Sequence, residues 1–189
     1  LDDLQHERQV LGIHKNLVVA ATGTGKTVVA ALDYRRQCED TDGPRPRLLF
    51  IAHRQEILEQ SLRTFRDVLG DGSFGELFSS RYQPTAWDHV FASIQSFSKE
   101  EQLSRFAPGH FDVIIIDEFH HGMADSYSRL ISHFTEYREF LGLTATPERA
   151  DGQNIVAHYF GGRIASELRL WTALDNDLLV PFHYFGIAD

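Results

Sequence analysis

The sequence predicts an α/β fold, with a mostly parallel central sheet covered by helices on both faces. Three observations carry this. First, the strand-like segments at 17–21, 47–52, 111–117 and 140–143 are uninterrupted apolar runs, not alternating ones. A strand with that pattern is buried on both faces, as parallel strands are. Second, Ile57, Leu58, Leu62, Phe65, Val68 and Leu69 form a stripe at helical spacing. Third, strand-like and helix-like segments alternate along the chain, which is the layered pattern of such a sheet.

The elements follow in order. Residues 1–12 carry Leu4, Val10 and Leu11 among charges and read as a surface helix ending at Gly12. The first strand covers 17–21, and a helix extends from about 26 to 38. Asp, Gly and Pro make 39–46 a loop. A second strand at 47–52 is followed by the striped helix, 54–69. The stretch 71–84 is rich in Gly and Ser, with a short strand at 76–79. A strand at 89–93, a helix at 99–106 and the clearest strand, 111–117, come next. A helix at 126–134 and a strand at 140–143 follow. The tail reads as helix 154–160, strand 163–166, helix 170–175 and strand 180–187.

With 189 residues, 42% of them hydrophobic, the chain suits one compact domain. Its net charge of −9 argues against nucleic-acid binding through bulk electrostatics, so any such contact would come from a local patch. Cys38 is the only cysteine; no internal disulfide can form, which fits a reducing cytoplasm. No apolar run approaches the roughly 20 residues that span a bilayer. The chain begins without Met and reads as a domain excised from something larger.

Two stretches carry chemistry. Thr22-Gly23-Thr24-Gly25-Lys26-Thr27 lies between the first strand and its helix. Strand, glycine turn, Gly-Lys-Thr and helix are the layout of a phosphate-binding loop. Gly23 and Gly25 let successive N–H groups point at phosphate oxygens, and the helix aims its positive end at the same anion. Lys26 supplies a point charge to the outer phosphates, and the Thr27 hydroxyl suits Mg²⁺. Ala20 stands where the pattern usually has its first glycine, which requires extended backbone there. The alternative is a plain glycine-rich turn. Asp117-Glu118 ends the clearest strand. Two adjacent carboxylates beside a phosphate loop divide the work: Asp117 holds Mg²⁺, and Glu118 orients and deprotonates a water. The alternative is a pair that caps the next helix. His120 and His121 lack a third ligand at zinc-like spacing.

Ala-Thr-Gly-Thr-Gly-Lys-Thr, Asp117-Glu118-Phe119-His120 and Leu143-Thr144-Ala145-Thr146-Pro147 occur in that order. They resemble motifs I, II and III of superfamily-two helicases of the Asp-Glu-x-His kind. Residues 49–54 with Glu56-Ile57-Leu58 resemble motif Ia, and Ala92-Ser93-Ile94-Gln95-Ser96 resembles motif Ib. Thr-Ala-Thr-Pro-Glu-Arg with Asp151-Gly152 is most similar to the restriction-enzyme motor branch. The resemblance covers most of the chain, with motifs between about 16 and 152.

The resemblance implies a RecA-like P-loop NTPase fold, the first motor domain of a two-domain engine, occupying 1–189. It implies ATP and Mg²⁺ as cofactors, nucleic acid (DNA rather than RNA) as track, and a second RecA-like domain of the full-length chain as partner. Lys26, Asp117, Glu118 and His120 would be catalytic, and Thr22 to Thr27 would bind nucleotide. His120, Thr144, Ala145 and Thr146 would couple the nucleotide site to the second motor domain and to the nucleic acid. His53, Arg54, Gln95 and Ser96 would touch the sugar-phosphate backbone; otherwise His53 and Arg54 are helix caps, and Gln95 and Ser96 ordinary turn residues. The family's adenine-reading glutamine would fall before Leu1, and its transition-state arginine lies in the second domain. The isolated segment is therefore expected to be nearly inactive. The alternatives are a duplex translocase or restriction-type motor that never separates strands, and a nucleotide-controlled binding module. Glu118 argues against the last.

Overall fold

The computed structural model describes residues 1–146 and 155–168. Their strands are β1 (Lys15–Ala20), β2 (Leu48–Ala52), β3 (Glu76–Phe78), β4 (His89–Ser93), β5 (Val113–Ile116), β6 (Glu139–Thr144) and β7 (Ser166–Leu168). All pair in parallel in one sheet of order β3-β4-β2-β5-β6-β1-β7. The helices are α1 (Asp2–Gln9), α2 (Lys26–Glu39), α3 (Gln55–Leu69), α4 (Ile94–Phe97), α5 (Glu100–Leu103), α6 (Asp125–His133) and α7 (Ile155–Phe160), with a 3-10 turn at Phe119–His121.

The apolar runs divide between two cores because successive side chains point to opposite faces. Leu17, Val19, Leu49, Ile51, Ile114, Ile116 and Phe140 meet α4, α6 and α7 on one face. Val18, Ala20, Leu48, Phe50, Val113, Ile115, Leu141 and Leu143 meet α1, α2 and α3 on the other. The α3 stripe buries Leu58, Leu62 and Phe65. Burying each contributes about 1.5–3 kcal/mol. Phe65 also stands edge-on to Phe50 and Phe91, with ring centroids 5.7 and 5.2 Å away. Phe65→Ala is the single change that would loosen this face, at about 3–5 kcal/mol.

Three expectations are corrected. The helix expected at 99–106 spans only Glu100–Leu103. The chain then closes in turns, Arg105 N–H on Gln102 and Phe106 N–H on Leu103. Phe106 packs its ring on Phe97 and Phe111 instead of continuing the helix. The unforeseen turn α4 starts directly after β4, because the Ser93 hydroxyl caps it by accepting the Ser96 N–H. The strand expected at 163–166 lies at Ser166–Leu168, where it pairs with Val18–Ala20. The helix at 170–175 and strand at 180–187 lie outside the described residues, as do Pro147, Arg149, Asp151 and Gly152.

The amino end of the sheet is tied by buried charge. Arg8 of α1 makes a bidentate pair with Asp33 of α2. Asn16 donates to Glu139 at 2.8 Å, joining β1 to β6. No helix among the described residues is long and apolar enough to cross a membrane.

Candidate nucleotide site and adjoining face

The chain reverses its strand order around β1, and the loops at the carboxyl ends of β1, β5 and β6 converge there. Ligands of open parallel sheets bind at such a point. β6 lies between β1 and β5, pairing Val19 with Thr144 and Ile116 with Gly142. This brings the loop after Ala20, the end of β6 and Asp117 side by side.

Ala20 ends β1 in extended backbone, as its replacement of a glycine requires. Gly23 and Gly25 have φ of 86° and 85°, in the left-handed region. Gly25 then turns directly into α2. Thr24 closes the loop: its N–H and hydroxyl both donate to the Ala21 carbonyl, at 3.3 and 2.7 Å. Thr22 and Gly23 are exposed, and Thr24 to Thr27 are half-buried. Lys26 Nζ donates to the carbonyls of Ala20 and Ala21. Burial lowers its pKa, and the charges of Asp117 and Glu118 oppose that shift. Those two carboxylates and the ammonium therefore share one electrostatic environment.

Asp117 is 6% exposed. Burial raises its pKa, against the Glu118 N–H and the Lys26 charge. Its Oδ1 accepts that N–H at 2.8 Å. Glu118 is left-handed (φ 52°, ψ 45°), a conformation uncommon for any residue but glycine or Asn. Such a conformation persists only where its surroundings enforce it, and it concentrates at functional sites. The enforcement comes from Phe119, fully buried against Phe140, Tyr159 and Phe160. Gly142 makes room for that ring: a Cβ there would lie 3.2 Å from Phe119 Cγ and 2.9 Å from Phe160 Cζ. Tyr159 donates to the Gly122 carbonyl at 2.9 Å, pinning α7 to the same turn.

Thr144 is fully buried and its hydroxyl donates to the Thr146 carbonyl at 2.9 Å. Ala145 is half-buried and Thr146 exposed. His120, half-buried, lies with its ring centroid 4.1 Å from His121. His121 in turn sits 5.7 Å from His53. His53 and Gln95 are exposed and joined by a 2.9 Å hydrogen bond between Gln95 Nε2 and His53 Nδ1. The carboxyl ends of β2 and β4 thus form one polar face, beside which stand His121 and His120 of the turn that follows Glu118. Arg54 is exposed on that face and makes no side-chain cap for α3. The Ser96 hydroxyl bonds Ser93 at 2.9 Å, inside the chain.

Two participants were not apparent from sequence. Phe119, the unspecified residue of its motif, is the buried ring that anchors the turn against Phe140, Tyr159 and Phe160. Tyr127 of α6 buries its hydroxyl under the influence of both carboxylates. A helical tyrosine gives no sequence signal beyond core packing.

A cavity of about 560 Å³ at the opposite edge is lined by Arg45, Arg47, His89, His110 and Arg138. Its arginines are already engaged, Arg45 with Asp71, Arg47 with Asp88 and Arg138 with the Thr41 hydroxyl, so it does not compete as the main site.

The chain is similar to several known proteins. A type I restriction enzyme EcoAI endonuclease subunit from Escherichia coli is 33% identical over 177 residues, covering 90% of this chain and 21% of that one. A Schizosaccharomyces pombe protein named as a mitochondrial ATP-dependent helicase is 33% identical over 150 residues, covering 76% and 24%. The chain therefore spans about a quarter or less of these relatives. Among solved structures, a nuclease-deletion mutant of the type ISP restriction-modification enzyme LlaGI superposes with a TM-score of 0.71 at 18% identity. That match covers 93% of this chain and 20% of LlaGI. The UvsW helicase of bacteriophage T4 superposes at 0.65 and 17% identity, covering 82% and 54%. These likenesses establish the α/β RecA-like fold. The family model for the type III restriction enzyme res subunit matches residues 2–149. By that match this chain, with its helicase-type motor fold, belongs to the family of the type III restriction enzyme res subunit.

Proposed function

We propose that residues 1–189 form the first, nucleotide-binding motor domain of an ATP-dependent DNA helicase or translocase. The observation that carries this reading is the strand pairing, in which β6 lies between β1 and β5 and sets the loop that holds Lys26 beside the Asp117-Glu118 turn at the carboxyl edge of the sheet. The name of the fission-yeast relative supports ATP as the nucleotide.

In this reading the loop N–H groups from Thr22 to Thr27 hold the β-phosphate. Lys26 leaves the carbonyls of Ala20 and Ala21 for the outer phosphates. Glu118 accepts a proton from water as its oxygen attacks the γ-phosphorus, and the bond from that phosphorus to the bridging oxygen breaks. The products are ADP and phosphate, with the water's second proton on the phosphate. Thr27 and Asp117 fit Mg²⁺: both offer oxygen donors, and Asp117 is a buried carboxylate in need of a cation. Mg²⁺ held there would neutralise charge developing on the phosphate oxygens. His120 and Thr144 to Thr146 relay the state of that site. A second RecA-like domain elsewhere in the full-length chain supplies the arginine, worth about 10³–10⁵ in rate.

His53, Arg54 and Gln95 are the backbone-facing contacts, and Ser96 positions its turn from within. Their partner is DNA, a reading supported by the LlaGI structure, which is in complex with a DNA substrate mimic. Few contacts and no base-reading helix imply sequence-tolerant binding that weakens steeply with salt. The second reading is a duplex translocase or restriction-type motor that never separates strands, and the restriction-enzyme name of the Escherichia coli relative supports its restriction type.

The test is phosphate release by the full-length protein with and without DNA, against Lys26→Ala. DNA-stimulated release absent from Lys26→Ala is expected; equal release by both proteins would overturn the reading. Displacement of a triplex-forming strand without duplex unwinding would select the second reading.

A further inference from the structure

The turn that presents Glu118 is short and strained, so what holds its two ends matters. Glu118 starts it in left-handed backbone, and the Glu118 carbonyl accepts the His121 N–H at 3.1 Å. The Phe119 carbonyl accepts the Gly122 N–H at 2.7 Å and closes it. The near end is held by the Glu118 N–H on Asp117 Oδ1. The far end is Gly122, which is buried, so its carbonyl needs a donor. That donor comes from α7, which lies outside every recognised motif: it is the Tyr159 hydroxyl, 2.9 Å away.

The same oxygen makes a second bond, lying 3.1 Å from Ser128 Oγ of α6. A phenol has one proton and a carbonyl can only accept, so the Tyr159 proton is spent on Gly122. Ser128 is therefore the donor to Tyr159, and a hydroxyl that accepts one bond donates its own more strongly. One oxygen thus ties α6, α7 and the turn together. The ring is held separately. It stands edge-on to Phe119 with centroids 5.4 Å apart, and Lys15 Nζ lies 5.2 Å from its centroid. A phenylalanine would make both ring contacts, so packing does not account for the hydroxyl. Gly122 itself is seated hard on Phe119: a Cβ there would lie 2.7 Å from Phe119 Cε1 and 2.9 Å from the Phe119 carbonyl oxygen.

We infer that Tyr159 is a positioning residue for the general base. Its O–H on the Gly122 carbonyl, backed by Ser128, holds the far end of the turn. That keeps the Glu118 backbone in the left-handed conformation from which its carboxylate meets the attacking water. Tyr159 acts through the turn alone; nucleotide affinity resides in the loop at 22–27 and its Lys26, which belong to β1 and α2. The inference rests on the motor reading above.

Tyr159→Phe in the full-length protein removes one oxygen and keeps the ring. The expected result is a fall of about fivefold in kcat for DNA-stimulated ATP hydrolysis, the rate equivalent of one neutral hydrogen bond. The KM for ATP and the equilibrium affinity for ATP stay within about twofold. A purely structural hydroxyl would leave kcat at the wild-type value well below the melting temperature, even if that temperature falls, and this overturns the inference. Loss of ATP affinity in step with kcat also overturns it, because the whole site and not the turn would then depend on the oxygen. Ser128→Ala removes only the supporting bond and leaves Tyr159 on Gly122, so it should lose less kcat than Tyr159→Phe. An equal loss would show that the oxygen serves α6 and not the turn, which overturns the inference as well. Glu118→Gln run alongside separates the two readings. Wild-type hydrolysis that survives Glu118→Gln overturns the motor assignment itself, whereas Glu118-dependent hydrolysis indifferent to Tyr159→Phe overturns only the inference.

Discussion

Lys26 Nζ lies 2.9 Å from the Ala20 carbonyl, folded back over the loop that precedes it. The ammonium thereby finds acceptors while half-buried, and burial already lowers its pKa. A phosphate oxygen competes for it directly with two neutral carbonyls, and charge-assisted bonds are roughly twice as strong as neutral ones. Lys26→Ala should weaken ATP binding by about 10–100-fold, from a charged hydrogen bond of about 1.5–3 kcal/mol. Nucleotide titration of the full-length protein measures this; affinity within a factor of two of wild type would contradict the assignment.

Much of the site was legible beforehand because its chemistry is local. Gly23, Gly25 and Lys26 are adjacent in sequence, and the strand before them and helix after them follow from apolar patterning. The parallel sheet was legible for the same reason, since β2 and β5 are continuous apolar runs. Long-range packing was not. Phe119 and Gly142 are complementary only because β5 and β6 are neighbours, and no spacing rule relates them. The helix expected to reach Phe106 stopped because that ring finds Phe97 and Phe111, a tertiary preference that overrides propensity. By sequence His121 had no role beyond a zinc reading that lacks a third ligand, yet its ring lies 5.7 Å from that of His53 and 4.1 Å from that of His120.

Glu118 combines a catalytic assignment with a left-handed backbone. Holding an ordinary residue there costs on the order of 1–2 kcal/mol, which glycine avoids apart from about 0.5–1 kcal/mol of its own entropy. Glu118→Gly should be at least as stable as wild type to urea while losing ATP turnover. Glu118→Gln should keep both stability and ATP binding and lose only turnover, since the proton acceptor alone is gone. A glycine variant clearly less stable than wild type would show that the carboxylate supports the fold.

Gly142 should tolerate nothing larger. The added methyl of Gly142→Ala would meet Phe160 Cζ at 2.9 Å, Leu17 Cδ1 at 3.0 Å and Phe119 Cγ at 3.2 Å. All three contacts sit in a close-packed core, so the expected cost is about 1–3 kcal/mol. The strain falls on Phe119, next to Glu118, so turnover should drop more than stability alone explains. Comparing kcat with urea midpoints for Gly142→Ala and for a remote variant of matched stability tests this. Equal kcat in the two would confine Gly142 to packing.

The last prediction concerns pH and lies at the far end of the sheet. Glu139 is 1% exposed, and its Oε2 has no hydrogen-bond partner among the described residues. Burial pushes its pKa up to about 8, against the Asn16 hydrogen bond and the Arg8 charge. Arg8 Nη1 stands 3.4 Å from Glu139 Oε1, but its guanidinium is shared with Asp33, whose own charge raises Glu139 further. His14 Nδ1 stands 3.7 Å from Oε2 and could pair with it only when protonated. The folded protein thus holds this proton more tightly than the unfolded chain, where a glutamate titrates near 4.3. The group's contribution to stability is complete below the unfolded value and declines as pH rises towards about 8, because only the unfolded chain releases the proton freely. Glu139→Gln keeps a neutral acceptor for Asn16 and removes the titration. Urea unfolding at a series of pH values between about 5 and 8 should therefore give a flatter stability profile for the variant, with its largest relative gain at the alkaline end. Parallel profiles for the two proteins would mean that Glu139 stays ionised, paired with Arg8, across the whole range.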